Sequence, residues 1–287
     1  MPIPGTGAPG LEEVEWIDGR PDIEDGTYLL SFWQSSCMDC LERLHHLEEA
    51  HRQHPGIEAV SVHVPELGLD MDAARRAAER VNAAHYMAHD PGGGAAERYG
   101  SRNAPGIFLL QDGVVEWQKT PGNSLEGLAG KVEELTGEGI DIPEDGDRDD
   151  IYLGYVYGTV NDGVNFRGEK ELSLPGNMRE GTAYLSGRWR RERNCIEALG
   201  GSMKVYQKAS RAGIVASADG MKDVEVTVDG EPVPHRWAGD DLRVEGDRSY
   251  VRVTGRRMYS LIDGPERRSE IGLEPEKGAR LYKVGFR

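Results

Sequence analysis

The sequence predicts an α/β domain followed by an all-β domain, and three observations carry that expectation. An aromatic-rich apolar run ends in a short loop and then a Cys-x-x-Cys pair that opens a helical pattern, at residues 26–54. From Ile151 onward the apolar periodicity falls to about two and helical spacing disappears. The charge balance changes at the same place: residues 1–150 carry 30 acidic against 11 basic side chains, and residues 151–287 carry 20 against 23. The expected organisation is therefore an α/β domain over 1–136, an acidic Gly- and Pro-containing linker over 137–150, and a β domain over 151–287. At 287 residues the chain is long enough for both domains to bury a core.

The elements follow in order. Gly26-Thr27-Tyr28-Leu29-Leu30-Ser31-Phe32-Trp33 reads as a buried strand, and Gln34-Ser35-Ser36 as a loop. Leu41, Leu44 and Leu47 recur at helical spacing up to about His54, where Pro55-Gly56 stops the pattern. Residues 57–64 form a second strand in which Val60, Val62 and Val64 alternate, and 71–84 form an alanine-rich helix. Gly106–Leu110 and Val114–Trp117 make a hairpin around Asp112-Gly113, and a last helix covers about 124–136. The order β-α-β-α-β-β-α is that of the thioredoxin fold.

In the second half, strands are expected at 151–157, 183–190, 203–208, 223–228, 249–254, 257–262 and 280–286. Asp219-Gly220, Asp229-Gly230 and Asp263-Gly264 mark tight turns between them. Many short strands without helices describe a jelly-roll-like β-sandwich.

A net charge of −16, concentrated in the first half, opposes nucleic acid as a partner of that half. No apolar run approaches the ~20 residues of a membrane span. The opening Met1-Pro2-Ile3-Pro4-Gly5 lacks a basic-then-apolar leader, so the chain as it stands is expected in the cytoplasm, and outside it if a leader was removed.

Three cysteines cannot build a disulfide framework. Cys37 and Cys40 at a helix start lie one turn apart, within bridging reach. The free N–H groups and the helix dipole favour a thiolate on Cys37, which makes it the nucleophile and Cys40 the resolving thiol. A metal reading needs two more ligands, and His45, His46, His51 and His54 are spread around the helix. The pair therefore reads as a redox-active disulfide needing no cofactor. Asp39, between the cysteines, opposes a thiolate and points to a reducing pair. Trp33 is expected to pack beneath the site, His63 to be a satisfied structural histidine near it, and Cys195 to be a buried small hydrophobe. Arg188, Arg190, Arg191 and Arg193 surround Trp189. This reads as a solvated face around one core tryptophan, with an acidic-ligand patch as the sharper alternative.

The segment Phe32-Trp33-Gln34-Ser35-Ser36-Cys37-Met38-Asp39-Cys40 resembles the motif of TlpA-like oxidoreductases. Val62-His63-Val64-Pro65-Glu66-Leu67 and Asn103-Ala104-Pro105 extend the resemblance over most of 15–136. With Ile151–Tyr155, Tyr184–Trp189, Val228–Val233, Arg257–Leu261 and Arg280–Phe286, the chain is similar to the soluble part of DipZ-type proteins. There a thioredoxin domain precedes a sandwich like a carbohydrate-binding module.

The resemblance implies a cis-proline at Pro105 facing the disulfide. It also implies that the Ala104 backbone pairs with an extended substrate, and that Trp33, Ser36, Met38 and Asp39 line or tune the site. Ser31 stands where thioredoxin carries a buried aspartate, and Ser36 where a tryptophan is usual. The membrane domain of DipZ-type proteins is not in this sequence, so the electron donor is unidentified. The expected activity is disulfide exchange with thiol or disulfide protein substrates, with a carbohydrate or protein ligand for the sandwich. The rival reading is a non-enzymatic binding protein in which the sandwich recognises a partner and the thioredoxin fold is scaffold.

Overall fold

A six-stranded mixed sheet organises the first of the two units into which the chain divides, Met1–Gly146 and Asp147–Arg287. The computed structural model describes residues 2–17, 19–54, 56–102, 106–119, 125–140 and 150–287. The first unit runs β1 (Glu15–Trp16), β2 (Thr27–Trp33), α1 (Met38–Gln53), β3 (Glu58–His63), α2 (Met71–Val81), β4 (Tyr86–His89), α3 (Gly94–Tyr99), β5 (Gly106–Gln111), β6 (Val114–Lys119) and α4 (Leu128–Thr136). The strand order is β1-β4-β3-β2-β5-β6. Strands β2, β3 and β4 are parallel, while β1, β5 and β6 run antiparallel to their neighbours. This is a thioredoxin fold. It also holds β1, β4 and α3, which periodicity did not reveal: two, four and six residues are too few to establish a repeat.

All seven residues of β2 are buried, because helices cover both faces of a central parallel strand. Tyr28, Leu30 and Phe32 share a core cluster with Tyr99 of α3, and the Phe32 and Tyr99 rings lie 5.0 Å apart. Leu29 packs with Leu47 of α1, and Trp33 with Leu44 of α1. Each such leucine contributes ~1.5–3 kcal/mol through burial. The β5–β6 hairpin turns at Asp112 and Gly113, both at positive φ (49° and 73°), the conformation for which Asp-Gly is selected.

The second unit is an antiparallel ladder of β7 (Ile151–Tyr152), β8 (Gly168–Leu172), β9 (Ala183–Arg191), β10 (Ile196–Ser217), β11 (Lys222–Val228), β12 (Glu231–Pro232), β13 (Leu242–Glu245), β14 (Arg248–Val253), β15 (Arg257–Pro275) and β16 (Arg280–Phe286). The runs expected at 203–208 and 257–262 are segments of the much longer β10 and β15. Their bulges let β10 pair with β9, β15 and β16 in turn.

One expected turn is corrected. Asp263-Gly264 lies inside β15, with Asp263 opposite Arg211. The glycine serves close packing instead: a Cβ on Gly264 would sit 2.9 Å from the Trp237 ring.

Alternation along β9 also resolves the arginine cluster. Trp189 and Arg191 point inward, whereas Arg188 and Arg190 point outward to ion-pair with Glu169, and Arg190 also with Glu197. The buried Arg191 guanidinium donates to the carbonyls of Leu153, Gly154, Gly158 and Val164 and to the Asn165 side chain, clipping the 153–165 segment to the strand.

Candidate active site

The parallel strands β2, β3 and β4 end together, and the turn that follows β2 delivers the cysteines. The Cys37 N–H donates to the Gln34 carbonyl at 3.1 Å, closing a turn with Ser35 and Ser36 at its centre. Cys37 has extended backbone angles (φ −113°, ψ 118°) and is the N-cap of α1. Its sulfur takes the place of the usual capping oxygen and accepts the Cys40 N–H at 3.1 Å. Cys37 and Cys40 are joined as a disulfide with 5.2 Å between their Cα atoms. Both are buried, Cys37 at 1% exposure and Cys40 at 0%. In the dithiol state the Cys40 N–H and the first-turn dipole would face a Cys37 thiolate, as charge-assisted bonding requires.

Each predicted site residue has a definite place, two excepted. Trp33 lies in the buried cluster that holds both cysteines, 4.8 Å ring to ring from His63, and its indole N–H has no hydrogen-bond partner among the described residues. The Ser31 hydroxyl, two residues earlier, is likewise buried without one. Ser36 is buried, and its hydroxyl donates to a Glu66 carboxylate oxygen. Met38 is half-buried. Asp39 is buried, and Arg43, one turn further along the same face of α1, is buried too. Ala104 and Pro105 lie outside the described residues.

The strand ends add a polar cluster that sequence reasoning did not assemble. Trp33, His63 and His89 stand in register on β2, β3 and β4. His63 Nε2 lies 2.9 Å from Ser35 Oγ, and His63 Nδ1 lies 2.9 Å from His89 Nδ1. Burial, reinforced by His89, pushes the His63 pKa down to about 3, and burial also lowers that of His89. One row along the same face, His85 bridges Ser61 at 2.9 Å and Glu48 at 2.8 Å. Burial holds its pKa down against the pull of Glu48. His63 was visible in the sequence as the end of a strand. His89 was not, because β4 itself was not. Arg43 lies four residues after Asp39, and nothing in the sequence showed it buried.

Cys195, in the second unit, is buried 3.6 Å from Glu192, and its thiol pKa is pushed up to about 12 by burial and that carboxylate. Among the described residues, no group of three or more His, Cys, Asp or Glu side chains is placed to hold a metal. No described helix is long and apolar enough to cross a membrane.

A family described as thioredoxin-like C-terminal domain matches residues 149–286. Similar solved structures align with about half of the chain or less. A thiol:disulfide interchange protein DsbE from Chlorobium tepidum is 22% identical, with 48% of this chain and all of that chain covered, at a TM-score of 0.40. StoA from Bacillus subtilis is 21% identical over 44% of this chain and all of its own, at 0.36. A secreted disulfide oxidoreductase from Mycobacterium tuberculosis is 19% identical over 38% of this chain and 82% of its own, at 0.34. No curated protein matches.

Proposed function

We propose that the protein is a thiol–disulfide oxidoreductase of TlpA-like character that exchanges disulfides with protein substrates through Cys37 and Cys40. The supporting observation is the Cys37–Cys40 disulfide at the N-cap of α1, with the Cys40 N–H directed at the Cys37 sulfur. In the reducing direction the Cys37 thiolate attacks one sulfur of a substrate disulfide. The other substrate sulfur leaves as a thiolate, and a mixed disulfide remains. Cys40, as thiolate, then attacks Cys37 Sγ, forms the Cys37–Cys40 disulfide and releases the second substrate thiolate. The substrate gains two electrons, the pair loses two, and an external dithiol must restore it.

Cys37 takes the attacking role because it caps the helix, and Cys40 the resolving role because it lies inside the first turn. Pro105 and the Ala104 backbone would orient an extended substrate strand, as in the family the sequence resembles. Met38, the half-buried member of the set, would meet the substrate, while the buried Trp33, Ser36 and Asp39 would tune the site. The C-terminal unit, in the DipZ-type arrangement, would recognise a protein or carbohydrate ligand.

Reduction of insulin by dithiothreitol tests the assignment. The wild-type chain should accelerate it, Cys37→Ser should abolish the acceleration, and Cys40→Ser should accumulate mixed disulfides. A wild-type chain without effect would favour the rival reading, in which the thioredoxin fold is scaffold for a binding domain.

A further inference from the structure

We propose that His63 and His89 form a proton-coupled positioning pair for the turn that carries Cys37, acting through the hydroxyl of Ser35. The proposal rests on reading Cys37 and Cys40 as the exchanging pair. It begins with two contacts, Ser35 Oγ to His63 Nε2 and His63 Nδ1 to His89 Nδ1, each 2.9 Å and each buried.

Two ring nitrogens at that separation hold one proton between them. Two lone pairs, or two N–H groups, would repel. In the uncharged pair this leaves two arrangements. If the shared proton belongs to His63, its Nε2 is bare and accepts the Ser35 hydroxyl proton. If it belongs to His89, His63 carries its own proton on Nε2 and donates to the Ser35 oxygen. When the pair gains one proton the choice ends. With one proton between the rings, both outer nitrogens are occupied whichever ring bears the charge, so His63 must donate to Ser35. The Ser35 hydroxyl proton is then released to the turn Gln34–Cys37, whose closure sets the N-cap position of the nucleophile.

The surroundings place the charge on His89. Glu15 of β1, Asp90 after β4 and Asp70 at the start of α2 all favour a cation there. His63 faces Trp33 and Ser35 from the β2 side and His89 from β4, with Asp70 as the carboxylate that acts on it. The second hydroxyl of the turn, on Ser36, donates to Glu66, and the histidine pair reaches the turn at the Ser35 hydroxyl.

The test uses the full chain and reads two quantities. Nitrogen-15 NMR of the histidine rings, recorded on the disulfide form, should show one Nδ1 protonated and one bare in the neutral pair. As the pair takes up its proton, His63 Nε2 should become protonated. Insulin-disulfide exchange against pH should carry an inflection at that same titration, besides the thiol ionisation. Its amplitude should be roughly two- to ten-fold, the range of one hydrogen bond gained or lost. Ser35→Ala should erase that inflection while the ring titration persists, and Ser35→Thr should restore it. An inflection that survives in Ser35→Ala, a His63 Nε2 already fully protonated in the neutral pair, or two Nδ1 atoms of like protonation there, overturns the proposal. The ring spectra need no turnover. An inactive protein with the shared proton present would therefore count against the oxidoreductase reading and not against the pair.

Discussion

Replacing His63 with asparagine should change how the stability of the first unit depends on pH. His63 is fully buried, and its pKa falls from 6.5 in the unfolded chain to about 3 in the fold. Between those values the unfolded state binds a proton that the native state refuses, so His63 opposes folding increasingly as pH falls from 6.5 toward 3. Inside that window each pH unit corresponds to about 1.4 kcal/mol. Roughly 1.5 units lie between the unfolded value and pH 5, which gives about 2 kcal/mol lost by the wild-type chain and not by His63→Asn. At neutral pH the variant should be the less stable, since it loses the Ser35 and His89 contacts. Acidification to about pH 5 should shrink that deficit by about 2 kcal/mol. Amide hydrogen exchange of β2 and β3 in the full chain, followed against pH and corrected for intrinsic rates, measures the difference without requiring both units to unfold together. A deficit that stays constant between neutrality and pH 5 would show that His63 titrates normally, and the argument from burial would fail.

Three other outcomes are expected. Asp39→Asn should lower the pKa of the Cys37 thiol, because it removes a buried carboxylate and leaves the helix dipole; thiolate absorbance against pH measures this, and an unchanged value would refute it. Arg191→Met should destabilise the C-terminal unit by about 3 kcal/mol, with the loss concentrated at residues 153–165, because four backbone carbonyls lose their buried donor; hydrogen exchange there should rise well above that of β11. Limited proteolysis should cut within 137–150 and leave two folded fragments, as the Gly- and Asp-rich composition implies, whereas resistance throughout that stretch would remove the domain boundary.

The part of the site legible in the sequence is the part built from contiguous residues. A buried strand, a serine-containing turn, Cys-x-x-Cys and a helix with Leu44 and Leu47 on its inner face follow from period and capping chemistry alone. The same local rules misplaced Asp263-Gly264, because a turn signature and a glycine required by a tryptophan ring look identical in one dimension. They also shortened β10 and β15, whose length depends on which strands flank them.

By itself the sequence determined the succession of elements around Cys37 and Cys40, the change to all-β structure after residue 151, and the helix-cap position of Cys37. All three depend on neighbours within about one helical turn or one strand. Only the tertiary structure decided that Ser35, His63 and His89 meet. They are 28 and 26 residues apart in successive steps, and they touch because β2, β3 and β4 pair in parallel with Trp33, His63 and His89 in register. Burial was decided at the same level. The same imidazole that would titrate near neutrality in an exposed loop stays neutral here because the packed sheet withholds the water its charge needs.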